Sequence, residues 1–321
     1  MNEQASVWFR DRTSRWQDWP VEDSLRLKEQ QALRVSVVIP AHNEEATVGE
    51  VVRTLRAELL SAVPLVDEIV VIDSDSEDQT AAVAARAGAR VHRARDIAPD
   101  LGTYAGKGEA LWKSLLVTVG DILVFVDADL AMWGPHFVSG LLGPLLADPQ
   151  TLLVKGFYER VRTETDGSTS SEGGRVTELL ARPILNLWWP DLAGVVQPLA
   201  GEWAARRALM ESLSVPVGYG VELAALLDTS SNFGLHSIAQ VDLGTRAHRH
   251  QAVHDLAIMS AELLVVAAKR RATGGPTPPT EATLQQFARS KSGVRPVPRT
   301  VPTYERPAIG QLRDRRTGTR P

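Results

Sequence analysis

The chain of 321 residues contains no cysteine. Disulfides and thiolate metal sites are thereby excluded, and a reducing cytoplasm fits such a composition. No apolar run is long enough to cross a bilayer, and the polar stretch Met1 to Pro20 lacks the apolar centre of a signal peptide. Neither sign of charge dominates: a net charge of -4 gives no electrostatic case for a nucleic-acid partner. Aromatic residues are few, at 6%, yet Trp8, Trp16 and Trp19 gather near the start. That grouping predicts an N-terminal extension packed onto the body or onto another subunit. What remains is 44% hydrophobic and 23% charged, an ordinary globular balance with a real core.

Beyond an extension over residues 1–33, strand and helix patterns alternate. Val35 to Ile39, Asp67 to Ile72, Ala89 to His92 and Asp121 to Val126 read as strands. Helices are expected over Glu44 to Leu60, from a cap at Ser76 or Asp78 to Ala87, and over Glu109 to Val119. The second half is less regular. Strands are expected at Thr151 to Lys155 and Ile238 to Leu243, a polar mobile loop at Thr163 to Gly174, and helices at Arg175 to Leu187, Tyr219 to Asp228 and Val253 to Arg271. From Ala272 a basic tail rich in Pro, Gly and Thr reads as extended and partly disordered. The alternation predicts an α/β fold with a mostly parallel sheet covered on both faces.

Asp127-Ala128-Asp129 follows the apolar run Ile122 to Val126. A buried strand ending in two carboxylates delivers hard oxygen ligands where open α/β sheets bind their ligands. Such ligands suit Mg²⁺ or Mn²⁺ together with substrate phosphates. His248, in Arg246-Ala247-His248-Arg249-His250, is a candidate to complete that metal shell. Pro40-Ala41-His42-Asn43-Glu44 follows the first strand; Glu44 can accept from a ribose diol, or Asn43 can simply cap a helix. Asp73-Ser74-Asp75-Ser76 can select a base or form an ordinary turn. Gly106-Lys107-Gly108 is no P-loop, because Gly102 lies too close to Lys107 and Gly108 stands where Ser or Thr is needed. Its Lys can still reach a phosphate. Gly173-Gly174-Arg175-Val176-Thr177 offers backbone N–H groups, an Arg and a hydroxyl to an anion.

Taken in order, Val37 to Glu44, Ile72 to Thr80, Gly106 to Leu111 and Asp127 to Leu130 resemble the nucleotide-sugar half of an A-type (GT-A, Rossmann-like) glycosyltransferase. Gly173 to Pro183, Gln197 to Glu202, Gly218 to Glu222 and Ala239 to Gly244 are similar to the actinobacterial glucosyl-3-phosphoglycerate synthases and their mannosyl-3-phosphoglycerate relatives. The resemblance spans Ser36 to Ala268. It implies one GT-A domain with a donor half (34–130), an acceptor half (131–271) and a tail (272–321). It also implies a metal-dependent, retaining hexosyltransferase acting on the 2-hydroxyl of 3-phosphoglycerate.

The resemblance assigns the donor to Pro40, Ala41, His42, Glu44, Ser74, Lys107, Asp127 and Ala128. It assigns a divalent cation, Mg²⁺ or Mn²⁺, to Asp129 and His248 with Asp127 nearby. The acceptor falls to Gly174, Arg175, Thr177 and His250, the sugar to Glu222, and the carbonyl beneath the anomeric carbon to Leu199. His42 stands where the glucosyl branch carries an apolar residue, and His250 where it carries Asn. The expectation is therefore GDP-mannose, with UDP- or GDP-glucose as the alternative, in a cytoplasmic homodimer without nucleic-acid or membrane partners. An inverting polyprenyl-phosphate hexosyltransferase, which needs a lipid-facing surface, and a non-catalytic nucleotide-sugar sensor are the rivals.

Overall fold

The computed structural model describes residues 1–163, 169–170, 174–247, 253–271, 282–290 and 293–312. Helix α1 (Glu3–Arg12) and strand β1 (Thr13–Arg15) come first, then α2 (Val21–Gln30) and β2 (Val35–Ala41). The chain continues through α3 (Val48–Leu55), β3 (Glu68–Asp73), α4 (Thr80–Ala87), β4 (Arg90–Arg93), α5 (Lys107–Ser114) and β5 (Ile122–Phe125). Then follow α6 (His136–Ala147), β6 (Leu153–Thr163), the short β7 (Thr169–Ser170), α7 (Arg182–Trp188) and β8 (Trp203–Arg206). The body closes with α8 (Arg207–Ser212), β9 (Val215–Pro216), α9 (Val221–Phe233), β10 (Ile238–Ala247) and α10 (Val253–Arg270). The tail forms β11 (Ala282–Ser290), β12 (Gly293–Val301) and β13 (Glu305–Arg306).

The main sheet runs β1-β10-β6-β8-β5-β2-β3-β4, and only β8 is antiparallel to its neighbours in that order. Period-two alternation sends Val38, Val70, Ile72, Leu123 and Phe125 to one face, with Trp112 of α5 and Leu223 of α9. Val37, Ile39, Ile69, Val71, Ile122 and Val124 face the opposite way, onto α3 and the apolar helix α6. Strands buried on both faces read as the continuous apolar runs seen in the sequence. The chain steps outward from β2 to β3 and β4, then returns to β5 on the other side of β2. That reversal opens a crevice at the carboxyl ends of β2 and β5, the place where open α/β sheets take ligands.

Both chain ends carry more structure than expected: the tryptophans do pack the N-terminal segment onto the body, and the described tail is extended, but both add strands to sheets. The N-terminal segment is no mere extension: β1 adds a parallel edge strand to β10, with Thr13 opposite Gln240. Trp8 is buried and its indole N–H donates to Ile238 O at 2.9 Å. Trp16 stacks obliquely on His136 of α6. The described part of the tail is ordered as strands, with Val301, Thr303 and Arg306 buried and alternate hairpin residues exposed. Strands β11 and β12 form a hairpin, β13 pairs with β9, and Arg306 is buried. A long-range carboxylate partner, invisible to local composition, is what draws that cation inside. Helix α3 begins at Val48 rather than Glu44 and is prolonged by a π-helical stretch, Arg56–Ala62. Among the described residues no helix is long and apolar enough to cross a membrane.

Candidate active site

The loops after β2 and β3 are zipped together by side chains meeting backbone. Asn43, at φ 56°, donates its N–H to Ser76 Oγ at 3.0 Å and accepts from Glu77 N at 2.8 Å. Glu44 N donates to Thr80 Oγ1 at 2.7 Å, and Gln79 N to Glu45 Oε2 at 2.8 Å. Asn43 is thus a cross-loop clip and does not take the alternative role of helix cap, which falls to Thr47. Ser76 is spent on Asn43, while Asp78 accepts from Thr80 N at 2.9 Å at the start of α4. His42 Nδ1 lies 2.8 Å from Ser74 O, so the two candidate base-pocket residues touch.

A cavity of about 830 Å³ opens at the β2/β5 crevice. Pro40, Ala41, His42, Glu44, Ser74, Lys107, Asp127, Ala128 and Asp129 line it from the first half of the chain, and Leu199 and Glu222 from the second half. Every donor, sugar-contacting and described metal residue expected from the sequence meets there. Gly174, Arg175 and Thr177 do not line it: Arg175 is exposed at the head of the helical stretch leading to α7, and Thr177 is buried in its first turn. His248 and His250 lie outside the described residues.

The glycines of Gly106-Lys107-Gly108 have a different purpose from cradling phosphate. A Cβ on Gly108 would collide with Pro216 O, and one on Gly106, at φ +135°, with Val217 O. Without them the head of α5 docks backbone to backbone, Gly108 N donating to Gly218 O at 3.1 Å and Glu109 N to Val217 O at 2.9 Å. The N–H groups of Gly108 and Glu109, in the first turn, are thus taken by protein carbonyls and not left for an anion. What the docking presents instead is Lys107, whose Nζ stands 2.7 Å from Asp127 Oδ1 and 2.8 Å from Glu222 Oε1. Burial alone would push the ammonium pKa down; the two carboxylates outweigh it and hold the pKa well above the usual lysine range.

Behind the aspartates sits a cation that the sequence did not advertise. Arg246 Nη2 donates to Asp129 Oδ1 at 2.9 Å, and its Nη1 to Glu202 Oε1 and Tyr158 Oη, each at 2.8 Å. Asp127 Oδ2 lies 3.5 Å from the same guanidinium. Glu202 is fully buried, and burial pushes its carboxyl pKa up against the pull of Arg246. Glu202 Oε2 and Arg246 Nε are buried without a partner. A Cβ at Gly201 would occupy the place of the Asp127 carboxylate. Glu262 of α10, also on the cavity wall, accepts from Tyr219 N at 2.5 Å and is pushed up to about 7, by burial first and by the Glu222 charge.

Among the described residues no three His, Asp or Glu side chains converge as a metal shell. The donor chemistry nevertheless fits a hard divalent cation: two carboxylates, one residue apart, each already drawn to a cationic group.

Comparison with known proteins gives this geometry its place. A model described as glycosyl transferase family 2 matches residues 36–198. A glucosyl-3-phosphoglycerate synthase of Petrotoga mobilis is 46% identical over 250 residues, covering 78% of this chain and 77% of its own. The crystal structure of mannosyl-3-phosphoglycerate synthase from Rubrobacter xylanophilus matches with a TM-score of 0.86 and 38% identity, over 96% of this chain and 98% of that one. The Mycobacterium tuberculosis glucosyl-3-phosphoglycerate synthase, solved with Mn²⁺, UDP-glucose and phosphoglyceric acid, matches with a TM-score of 0.80 and 40% identity, over 92% and 95%. Fold and site therefore define a GT-A hexosyltransferase, and the chain belongs to glycosyl transferase family 2. Within that family it falls among the glucosyl- and mannosyl-3-phosphoglycerate synthases.

Proposed function

We propose that the chain transfers glucose, with retention, from a nucleoside diphosphate to the 2-hydroxyl of 3-phosphoglycerate, with UDP-glucose as the first donor. The observation that carries this reading is Lys107, which bridges Asp127 and Glu222 within one cavity lined by the donor residues. The glucosyl name of the P. mobilis relative and the UDP-glucose in the M. tuberculosis complex favour the glucosyl alternative over the GDP-mannose first inferred from His42.

A divalent cation bound by Asp129 and His248, with Asp127, supplies charge neutralisation for the departing diphosphate. The chain's own groups do the rest. Lys107 donates to donor oxygens, and Glu222 accepts from sugar hydroxyls and orients the ring. Leu199 O borders the anomeric carbon from below. Gly174, Arg175 and Thr177, with His250, hold the acceptor phosphate and carboxylate and supply proximity. Glu222 is committed to Lys107 and is given no nucleophilic role; the acceptor hydroxyl attacks on the departing face and its proton leaves with the diphosphate. The active unit in this reading is a homodimer.

A donor panel tests it: UDP- and GDP-glucose and UDP- and GDP-mannose, each with 3-phosphoglycerate and Mn²⁺. The expected product is α-glucosyl-3-phosphoglycerate, identified by NMR, with UDP-glucose giving the highest kcat/KM. Preference for GDP-mannose would restore the mannosyl alternative, and transfer only to a polyprenyl phosphate would end the reading.

A further inference from the structure

The C-terminal segment reaches the site from far outside the motifs that mark it. Strand β13 pairs with β9, and Val217 N donates to Tyr304 O at 3.2 Å. The same stretch of chain, 216–218, receives the head of α5 with Lys107. Arg306 is 4% exposed. Its Nε and Nη2 donate to the two oxygens of Glu109, both at 2.7 Å, a fork-on-carboxylate pairing that Lys cannot copy. Nη1 also donates to Leu101 O at 2.8 Å, and Nη2 to Gly102 O at 2.9 Å. The guanidinium carbon lies 4.7 Å from the Tyr104 ring centre and 4.8 Å from that of Trp112.

Glu109 passes the constraint on. It lies 3.6 Å from the buried Lys113, whose Nζ donates to Ala94 O at 2.7 Å and Thr103 Oγ1 at 2.8 Å. Ala94, Thr103 and Tyr104 are cavity wall, continuous with Lys107 and on the donor side with Ser74 and Asp75. At the rim the Tyr104 and Tyr304 rings stack with centroids 4.5 Å apart, although both are exposed. Arg306 itself does not line the cavity. It can act on a ligand only through the wall that it holds.

We propose that Arg306 is a positioning residue for the donor subsite: it locks the Leu101–Tyr104 wall to α5, so that the cavity is shaped for a nucleoside diphosphate before one arrives. Binding then no longer costs the ordering of that loop. The proposal rests on the donor-site reading above.

The test is calorimetric titration of the full chain with UDP and with GDP in the presence of Mn²⁺, beside steady-state kinetics and melting curves. Arg306→Lys keeps the charge and loses the fork. It is expected to weaken nucleotide binding and raise the donor KM about tenfold, with kcat and the acceptor KM within about twofold. Tyr304→Ala removes only an exposed ring and is expected to weaken nucleotide binding about threefold. A lower Tm with unchanged nucleotide affinity in R306K would mark a merely structural role and overturn the proposal. Should R306K not fold, wild-type affinity in Y304A overturns it instead. Wild-type protein that binds neither nucleotide would overturn the donor-site reading and the proposal with it, whereas normal wild-type binding and an unaffected R306K overturn the proposal alone.

Discussion

Lys107 and Glu222 meet at 2.8 Å across the cavity, one from the head of α5 and one from the head of α9. Because the same ammonium also holds Asp127, removing it leaves two carboxylates facing one cavity without their shared cation. Lys107→Met is expected to lower kcat/KM at least about 100-fold, a typical loss for one preorganised charged donor. Kinetics with saturating acceptor check it; a variant within tenfold of wild type would remove Lys107 from the chemistry.

Glu262 makes stability depend on pH. Its carboxyl is pushed up to about 7 in the fold, from an ordinary 4.5. Between those values the native protein keeps a proton that the unfolded chain has released, so stability falls as pH rises through the window. The effect has an upper bound of about 3 kcal/mol. Glu262→Gln lacks that titration. Wild type should therefore lose Tm relative to E262Q on going from pH 5 to pH 8, and parallel melting curves across that range would contradict the assignment.

Gly108→Ala tests the docking of α5. The added methyl would collide with the Pro216 carbonyl, a backbone atom that cannot swing away. Destabilisation of at least about 2 kcal/mol is expected, as for overpacking in a core, together with loss of donor affinity because Lys107 rides on the same joint. Urea unfolding and nucleotide titration measure the two effects.

Arg175 stands exposed at the start of its helix, beyond the cavity lining. Arg175→Ala should raise the KM for 3-phosphoglycerate by about 10-fold or more, the cost of one charge-assisted phosphate bond, and leave the donor KM within about twofold. Equal changes in both constants would speak against an acceptor role.

The donor half was legible because its signals are local. Val35 to Ile39 is a β-branched run ended by Pro40, and Ile122 to Val126 is an apolar run after which the aspartates fall by simple succession. Thr13–Arg15 shows no such periodicity: three residues cannot display one, and their strand exists only because β10 offers an edge. Arg246 stood in a basic run noticed only for its His248, and nothing local told that three carboxylates would surround it. Arg306 was hidden for the same reason, its partner Glu109 lying 197 positions earlier. Gly106 and Gly108 were noticed but not understood, since the carbonyls they accommodate belong to residues about a hundred positions further on.

The edge strand has a consequence for synthesis. Trp8 donates to a carbonyl 230 positions downstream, and β1 has no neighbour until β10 has been made. At ribosomal speeds β1 must wait on the order of ten seconds or longer for β10, its partner in the sheet. The Trp8 anchor and the β1–β10 pairing are therefore contacts of long sequence separation, whose loop-closure cost is met only once β10 is in place.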